Sequence, residues 1–286
     1  MSISIAINAG PDASCSSVVA TGSIQHIITD SERAAFNIQD AALKSAATHA
    51  TGCVPDQAWV CSPTTPPDLY TIYGLPQVQT LLTVQSATIV GVTSTPTVLA
   101  SQMFRNTSQE PASVNCDVTQ EVSVTAETSW SSTSAVEIAQ PISYGLSFMG
   151  AGAEGETSMG FSQTWESGGS ESETVTLGMN SGVTVELGPG DSVQADLSAS
   201  RGTLTVQVVY QLTLSGDTVL NFRNPCNGHH TWALDINAVM SGVGSPSTIT
   251  TTETITIEFY ADSKIVVSTP TGGVVATFMG GAKPLA

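Results

Sequence analysis

Between residues 135 and 148 apolar and small or polar side chains alternate with a period of two. Val136, Ile138, Ile142, Tyr144, Leu146 and Phe148 fall on even positions, with Gln140 the single polar member. Ala135, Glu137, Ala139, Pro141, Ser143, Gly145 and Ser147 fall on odd ones. In an extended strand these two sets point to opposite faces. A tip of small residues follows, Gly150-Ala151-Gly152-Ala153-Glu154-Gly155-Glu156. The alternation then resumes, with Met159, Phe161, Gln163 and Trp165 on one face and Ser158, Gly160, Ser162, Thr164 and Glu166 on the other. The pattern predicts an amphipathic β-hairpin over residues 135–166. Pairing residues whose numbers sum to 303 sets Ile142 opposite Phe161, Tyr144 opposite Met159 and Glu137 opposite Glu166. Pro141 weakens the first arm, because proline removes a ladder hydrogen bond.

Elsewhere the same period predicts strands at Val78–Val84, Val118–Ser129, Glu173–Leu177, Val183–Leu187, Leu204–Leu214, Thr252–Tyr260 and Ile265–Val267. Gly188-Pro189-Gly190 and Gly216-Asp217 mark turns. Helical spacing occurs once, over residues 31–50: Ala34, Ala35, Ile38, Ala42 and Ala46 share a face, Asp30 or Ser31 can cap the start, and Gly52 follows the end. Residues 53–78 are rich in proline and turns and carry Trp59, Tyr70 and Tyr73. Two readings of these rings stand open: a face on which a sugar ring can stack, or filling for a small core. The expected fold is mainly β, a module of long twisted antiparallel strands over residues 97–286, with a smaller α+β head over residues 1–96.

Composition narrows the function. Seven basic residues stand against 24 acidic ones, a net charge of −17. Nucleic acid is excluded as a partner on this ground, since phosphate binding needs clustered Lys and Arg. The same charge opposes adsorption to anionic lipid, so contact with a target-cell membrane calls for a receptor or a glycan. Met1–Gly10 lacks the basic and apolar regions of a signal peptide. Of the five cysteines, the Cys53/Cys61 spacing suits a short loop disulfide and Cys116 and Cys226 can tie distant strands; buried free thiols are the other reading. No C-x-x-C pair occurs and His229-His230 near Cys226 has no ligand cluster, so no metal is expected. Asn106-Thr107-Ser108 is a glycosylation sequon. Gly150 to Gly155 spells G-x-G-x-x-G, but no βαβ unit surrounds it, and no nucleotide or other cofactor is expected. No nucleophile elbow, zinc helix or P-loop is present, so enzymatic chemistry is not expected.

The hairpin suggests a membrane role. Each arm has about the ten residues that a tilted membrane strand needs. One hairpin in lipid would leave its edge N–H and C=O groups unsatisfied, whereas several copies can close a barrel, so insertion implies a homo-oligomer. Val136, Ile138, Ile142, Tyr144, Leu146, Phe148, Met159, Phe161 and Trp165 would face lipid. Glu137, Ser143, Ser147, Ser162, Thr164 and Glu166 would line the lumen. Gly150, Gly152, Glu154, Gly155 and Glu156 would form the tip. Residues 106–200 hold 13 acidic residues and no Lys or Arg, so the lumen would be acidic and favour cations. Protonation of Glu154 and Glu156 would ease their crossing, which predicts faster insertion in mild acid. The other reading is an ordinary amphipathic hairpin covering a sheet.

Three stretches resemble the aerolysin and clostridial epsilon-toxin family of small β-pore-forming proteins. Phe104-Arg105-Asn106-Thr107-Ser108 is similar to the family's F-x-N-x-[ST] strand. Glu127 to Ser134 resembles its Ser/Thr-rich strand before the insert. Phe161-Ser162-Gln163-Thr164-Trp165, with Ser170 to Thr176 and Val183 to Val193, resembles the strand, polar stretch and V-x-V-P-P-x-[ST]-x-V turn, here with Leu-Gly-Pro-Gly in place of two prolines. The likeness implies a secreted protein that binds a receptor, assembles into a ring and refolds residues 135–166 into a barrel. It also implies proteolytic activation, for which Lys264 is a candidate site; a permanently retained C-terminal strand is the other reading. A non-lytic carbohydrate-binding or storage protein, or an adhesive one, would keep the same shape.

Overall fold

The computed structural model describes residues 2–131, 142–149, 156–163, 169–178, 183–242, 244–279 and 281–284. Strands β1 (Ile3–Ala9) and β2 (Ser17–Ile27) lead into helices α1 (Asp30–Ala35) and α2 (Asp40–Thr51). β3 (Gln57–Trp59), α3 (Leu69–Tyr73), the 27-residue β4 (Gln79–Arg105), β5 (Ala112–Cys116) and β6 (Thr119–Trp130) follow. Next come β7 (Ile142–Met149), β8 (Glu156–Gln163), β9 (Ser170–Gly178), β10 (Val183–Leu187) and the 24-residue β11 (Ser192–Ser215). The chain ends through β12 (Asp217–Cys226), β13 (His229–Asp235), α4 (Ile236–Ser241), the 21-residue β14 (Thr248–Ser268), β15 (Val274–Met279) and β16 (Gly281–Pro284).

The spine is β4, β11 and β14. β11 is antiparallel to β4 from Ser192↔Arg105 to Ser215↔Gln79, and to β14 from Gln194↔Ser268 to Thr213↔Thr248. Alternation drives this arrangement: Leu204, Val206, Val208, Tyr210 and Leu212 of β11 and Ile255, Ile257 and Phe259 of β14 are all buried. The β11 ladder to β14 breaks register between Ser198 and Ser200, with Asp262 at φ 52 beside the break. Gly202 lies just beyond, where a Cβ would stand 2.5 Å from the Phe259 ring and 2.6 Å from the Thr93 carbonyl oxygen. Only glycine lets these two strands and the phenyl ring close at that point.

The spine belongs to an 11-stranded sheet in the order β16-β9-β6-β14-β11-β4-β2-β1-β7-β8, with β15 also on β14. Residue 97, the expected boundary between head and module, falls inside β4, and β1 and β2 belong to the large sheet. β13, β12 and β3 form a separate small sheet, against which α2 and α4 pack. β5 and β10 make a third.

Sequence expectation and structure differ over the helix. Residues 31–50 form two helices, because Asn37 adopts a positive φ of 54° and the chain turns to bury both Phe36 and Ile38. Thr29, not Asp30 or Ser31, caps α1: its side chain accepts from the Glu32 N–H while the Glu32 carboxylate accepts from the Thr29 N–H. That buried carboxylate also meets Thr80 Oγ1 at 2.9 Å and His26 Nε2 at 2.9 Å, tying α1 to β4 and β2. β1 and β2 were not among the expected strands, although Ile3, Ile5 and Ile7 alternate plainly.

Candidate membrane-insertion segment

β7 and β8 pair as an antiparallel hairpin. Its register sums to 305, not 303: Ile142 lies opposite Gln163, Tyr144 opposite Phe161 and Leu146 opposite Met159. The two-residue shift keeps every residue on its expected face and matches like with like. Ser143 meets Ser162, Gly145 meets Gly160 and Ser147 meets Ser158, so narrow positions pair with narrow ones. Ile142, Tyr144 and Leu146 are buried, whereas Ser143 is exposed and Ser147 half-buried. Phe148, Glu156, Met159, Phe161 and Ser162 are placed by backbone register alone. Val136, Glu137, Ile138, Gly150, Gly152, Glu154, Gly155, Thr164, Trp165 and Glu166 lie outside the described residues, as does the expected Glu137/Glu166 pairing.

Two devices seat the hairpin. The first is β1, which runs parallel to β7 from Ser4↔Ser143 to Ala9↔Phe148. It is the one parallel ladder among the described residues, in a sheet otherwise antiparallel. The wing comprises β1, β7 and β8; the buried Ile3, Ile5 and Ile7 continue the apolar face of β7, so these two strands pack their greasy side inward.

The second device is polar and deeply buried. The Tyr144 hydroxyl of β7 donates to Glu253 Oε1 of β14 at 2.5 Å, and the Tyr210 hydroxyl of β11 donates to Oε2 at 2.6 Å. Trp130 of β6 lies against the Tyr210 ring, centroids 5.5 Å apart. Burial holds the Glu253 carboxyl up at about 7, against the opposing pull of the two tyrosine hydrogen bonds. Tyr210 is likewise pushed up, chiefly by burial and next by the nearby Glu253 charge. One tyrosine of the hairpin is thus fastened to the spine through a fully buried carboxyl. Sequence reading missed Glu253, yet a signal existed: it shares the register of Ile255, Ile257 and Phe259, so an acid stands in an apolar row.

Other candidate residues take separate places. Tyr70 is buried, its hydroxyl donating to the carbonyls of Trp59 and Asp217 at 2.9 Å each, so it is a core residue and not a sugar platform. Trp59 is half-buried on β3, and only Tyr73 stands open, 64% exposed beside Ile72 on α3. Neither expected disulfide forms. Cys53 bonds Cys226, Cα atoms 6.0 Å apart, because β3 pairs with β12 and brings the start of one beside the end of the other. Cys61 and Cys116 are thiols, as is the exposed Cys15.

The sequon also has another purpose. Asn106 is 4% exposed, with Nδ2 donating to the carbonyls of Glu110, Leu187 and Gly188, and Oδ1 accepting from Ser108. It locks the turn after β4 to the Gly188-Pro189-Gly190 turn, and no amide remains for a glycan. The F-x-N-x-S motif is therefore a structural clasp.

Comparisons with known proteins accord with this architecture. No protein-family model matches the chain. U-megalopygitoxin(8)-Mo12 of Megalopyge opercularis is 34% identical over 247 residues, which is 86% of this chain and 85% of that protein. U-megalopygitoxin(8)-Mo15 of the same species is 38% identical over 241 residues, 84% of this chain and 76% of the other. The crystal structure of parasporin-2, a Bacillus thuringiensis toxin that recognizes cancer cells, superposes with a TM-score of 0.62 at 19% identity, covering 92% of this chain and all of that one. Toxin relatives and the Cys53–Cys226 disulfide both accord with secretion. The chain belongs to the U-megalopygitoxin(8) toxins, and it carries the aerolysin-like fold.

Proposed function

We propose that this protein attaches to a target-cell surface, assembles with copies of itself and releases residues 135–166 from the sheet to line a cation-selective β-barrel through lipid. One observation carries the reading. A hairpin whose sequence alternates apolar with small or polar residues lies at a sheet margin, where among the described residues a short parallel strand and a buried tyrosine–carboxyl bond help to hold it. Such an element can leave without dismantling the spine. In a barrel its apolar face, Ile142, Tyr144 and Leu146 in the described part, would exchange core for lipid, and its backbone edges would find partners in neighbouring copies. Glu137 and Glu166 would supply carboxylate rings to an acidic lumen. At the head, exposed Tyr73 supports contact with a receptor glycan.

The test pins β1 to β7. Ser4 and Ser143 lie opposite each other, both exposed, so S4C/S143C can form a disulfide without touching the core. Oxidised S4C/S143C is expected to release no dye from erythrocyte ghosts, with release restored by mild reductant that leaves wild type unchanged. Undiminished release from the oxidised variant overturns the proposal. Reversal potential in a planar bilayer under a salt gradient tests selectivity, and an anion preference would remove that part.

A further inference from the structure

The spine has two bare edges with unusual chemistry. β4 pairs with β2 only from Gln79 to Thr83; among the described residues no strand pairs with its outer edge from Val84 to Arg105. Pro96 sits within that stretch, a residue that sheets tolerate at edges because it offers no ladder N–H. On the far side, β15 pairs with β14 from Lys264↔Met279 to Ser268↔Val274, and its outer edge is also bare among the described residues. Of the 11 exposed large apolar side chains described, six lie on these two edges: Val90, Val98 and Met103 on β4, and Val274, Val275 and Met279 on β15.

The same two edges are nearly free of charge. Residues 79–104 contain no Asp, Glu, Lys or Arg, and neither do residues 265–282, in a chain of net charge −17. The part of β9 that β16 leaves uncovered, residues 170–174, carries Glu171 and Glu173. Two copies approaching along that edge would meet like charges, whereas β4 as far as Phe104 and β15 present none.

The edges are also level and correctly directed. Following the ladders across, Met279 aligns with Lys264, Ser198 and Val98, while Val274 aligns with Ser268, Gln194 and Met103. Thus the exposed apolar residues of β15 stand at the height of those of β4 beyond Pro96. Strands β15, β14, β11 and β4 alternate in direction, and their number is even. A second copy placed beside β4 with its β15 inward therefore continues the antiparallel alternation. The two edges differ, so the joint is head-to-tail and can repeat around a ring.

Resting on the pore-forming reading, we infer that copies of this chain assemble by pairing the β4 edge of one, residues 97–103, with the β15 edge of the next, residues 274–279. The Val98, Met103, Val274 and Met279 side chains flank the new ladder and leave water on assembly. The C-terminal β15 is then part of the joint, and cleavage at Lys264 would remove it.

Cysteine pairing between copies tests this in a C15S background, which removes the exposed native thiol. V98C or M103C protein is mixed with V274C, T277C or M279C protein on erythrocyte ghosts and on phosphatidylcholine–cholesterol vesicles, then oxidised. Peptide mass spectrometry reads the adducts, mass photometry of detergent extracts reads the oligomers, and dye release is followed in the same samples. Adducts between β4 and β15 are expected in the mixtures, at least tenfold above those in any single-variant sample. Oligomers lacking β4–β15 adducts overturn the edge joint, and dye release in those samples leaves pore formation standing. Adducts without release support the joint and count against the pore. Absence of both oligomers and release overturns both readings. V98D, a change at an exposed position, is expected to fold normally and to form at least tenfold fewer oligomers; unchanged assembly would also overturn the joint.

Discussion

The spine and the wing are built from the same kind of strand but are fastened in opposite ways. β11 is bonded along both edges over nearly all its 24 residues, with every second side chain in the core. The wing strand β7 has eight residues, six of them paired to β1 in the parallel manner, and its partner β8 is the last strand in the path. Parallel ladders are slightly weaker per residue than antiparallel ones. A fully apolar seam would make the wing one more layer of core, yet the structure puts a carboxyl in that seam and fastens it to the wing by Tyr144. The two regions therefore differ in ladder length, in ladder direction and in one buried polar group.

The largest effect is expected from damaging the spine. Gly202→Val would drive its side chain into the Phe259 ring and the Thr93 carbonyl, where even a Cβ stands 2.5 Å and 2.6 Å away. Overpacking of this sort costs about 1–3 kcal/mol, and here backbone is one of the obstacles, so the upper end is expected. Urea unfolding should show a lower midpoint for the whole protein, with wing and spine lost together. An unchanged spine midpoint in this variant would show that the close approach at Gly202 is not what holds the three long strands together.

The seam itself should respond to pH in a definite direction. Glu253 is raised from 4.5 to about 7 in the seated protein, so the seated form holds its proton more tightly than a form with that carboxyl in water. Its contribution to seating is complete below about 4.5 and is lost as pH rises through about 7. A shift of this size corresponds to roughly 3 kcal/mol at most. Hydrogen exchange of β7 amides is therefore expected to accelerate, relative to the spine, between pH 5 and 8 once the intrinsic pH dependence of exchange is removed. Glu253→Gln should flatten that profile. This direction opposes the acid-favoured crossing expected for Glu154 and Glu156, so release and crossing are separable by pH. Slower corrected exchange at pH 8 than at pH 5 would reverse the assignment.

Much of the wing was legible because alternation is a local property. Ile142, Tyr144 and Leu146 show their face in the sequence. What alternation does not carry is the neighbour. Nothing local to β7 announces that β1 lies beside it in parallel, because that pairing joins residues about 140 apart. The hairpin register slipped by two for a related reason: a shift of two leaves every face unchanged, so facing patterns alone cannot choose between sums of 303 and 305. The disulfide failed differently. Sequence nearness favoured Cys61 for Cys53, but β3–β12 pairing brings up Cys226, 173 residues away. Asn106 looked like a surface acceptor because its tripeptide fits a sequon, and only the structure shows its amide committed to three carbonyls.

The smallest and most discriminating change is Tyr144→Phe. It removes one hydroxyl and keeps the ring, so packing against the spine is preserved and β1 still pairs with β7. Glu253 retains Tyr210 as a donor at 2.6 Å but loses the donor that belongs to the wing. A hydrogen bond is worth roughly 0.5–1.5 kcal/mol while the carboxyl is neutral and more once it is charged, and the loss falls on seating because Tyr144 is the wing's member of the trio. Amide exchange across Ser143–Phe148 should accelerate about tenfold or more while Leu204–Leu212 stays unchanged. The mirror variant, Tyr210→Phe, removes an equal bond from within the spine and leaves Tyr144 on Glu253, so its effect on Ser143–Phe148 should be smaller. If both variants loosen the two regions equally, the carboxyl supports the whole core and is no fastening particular to the hairpin.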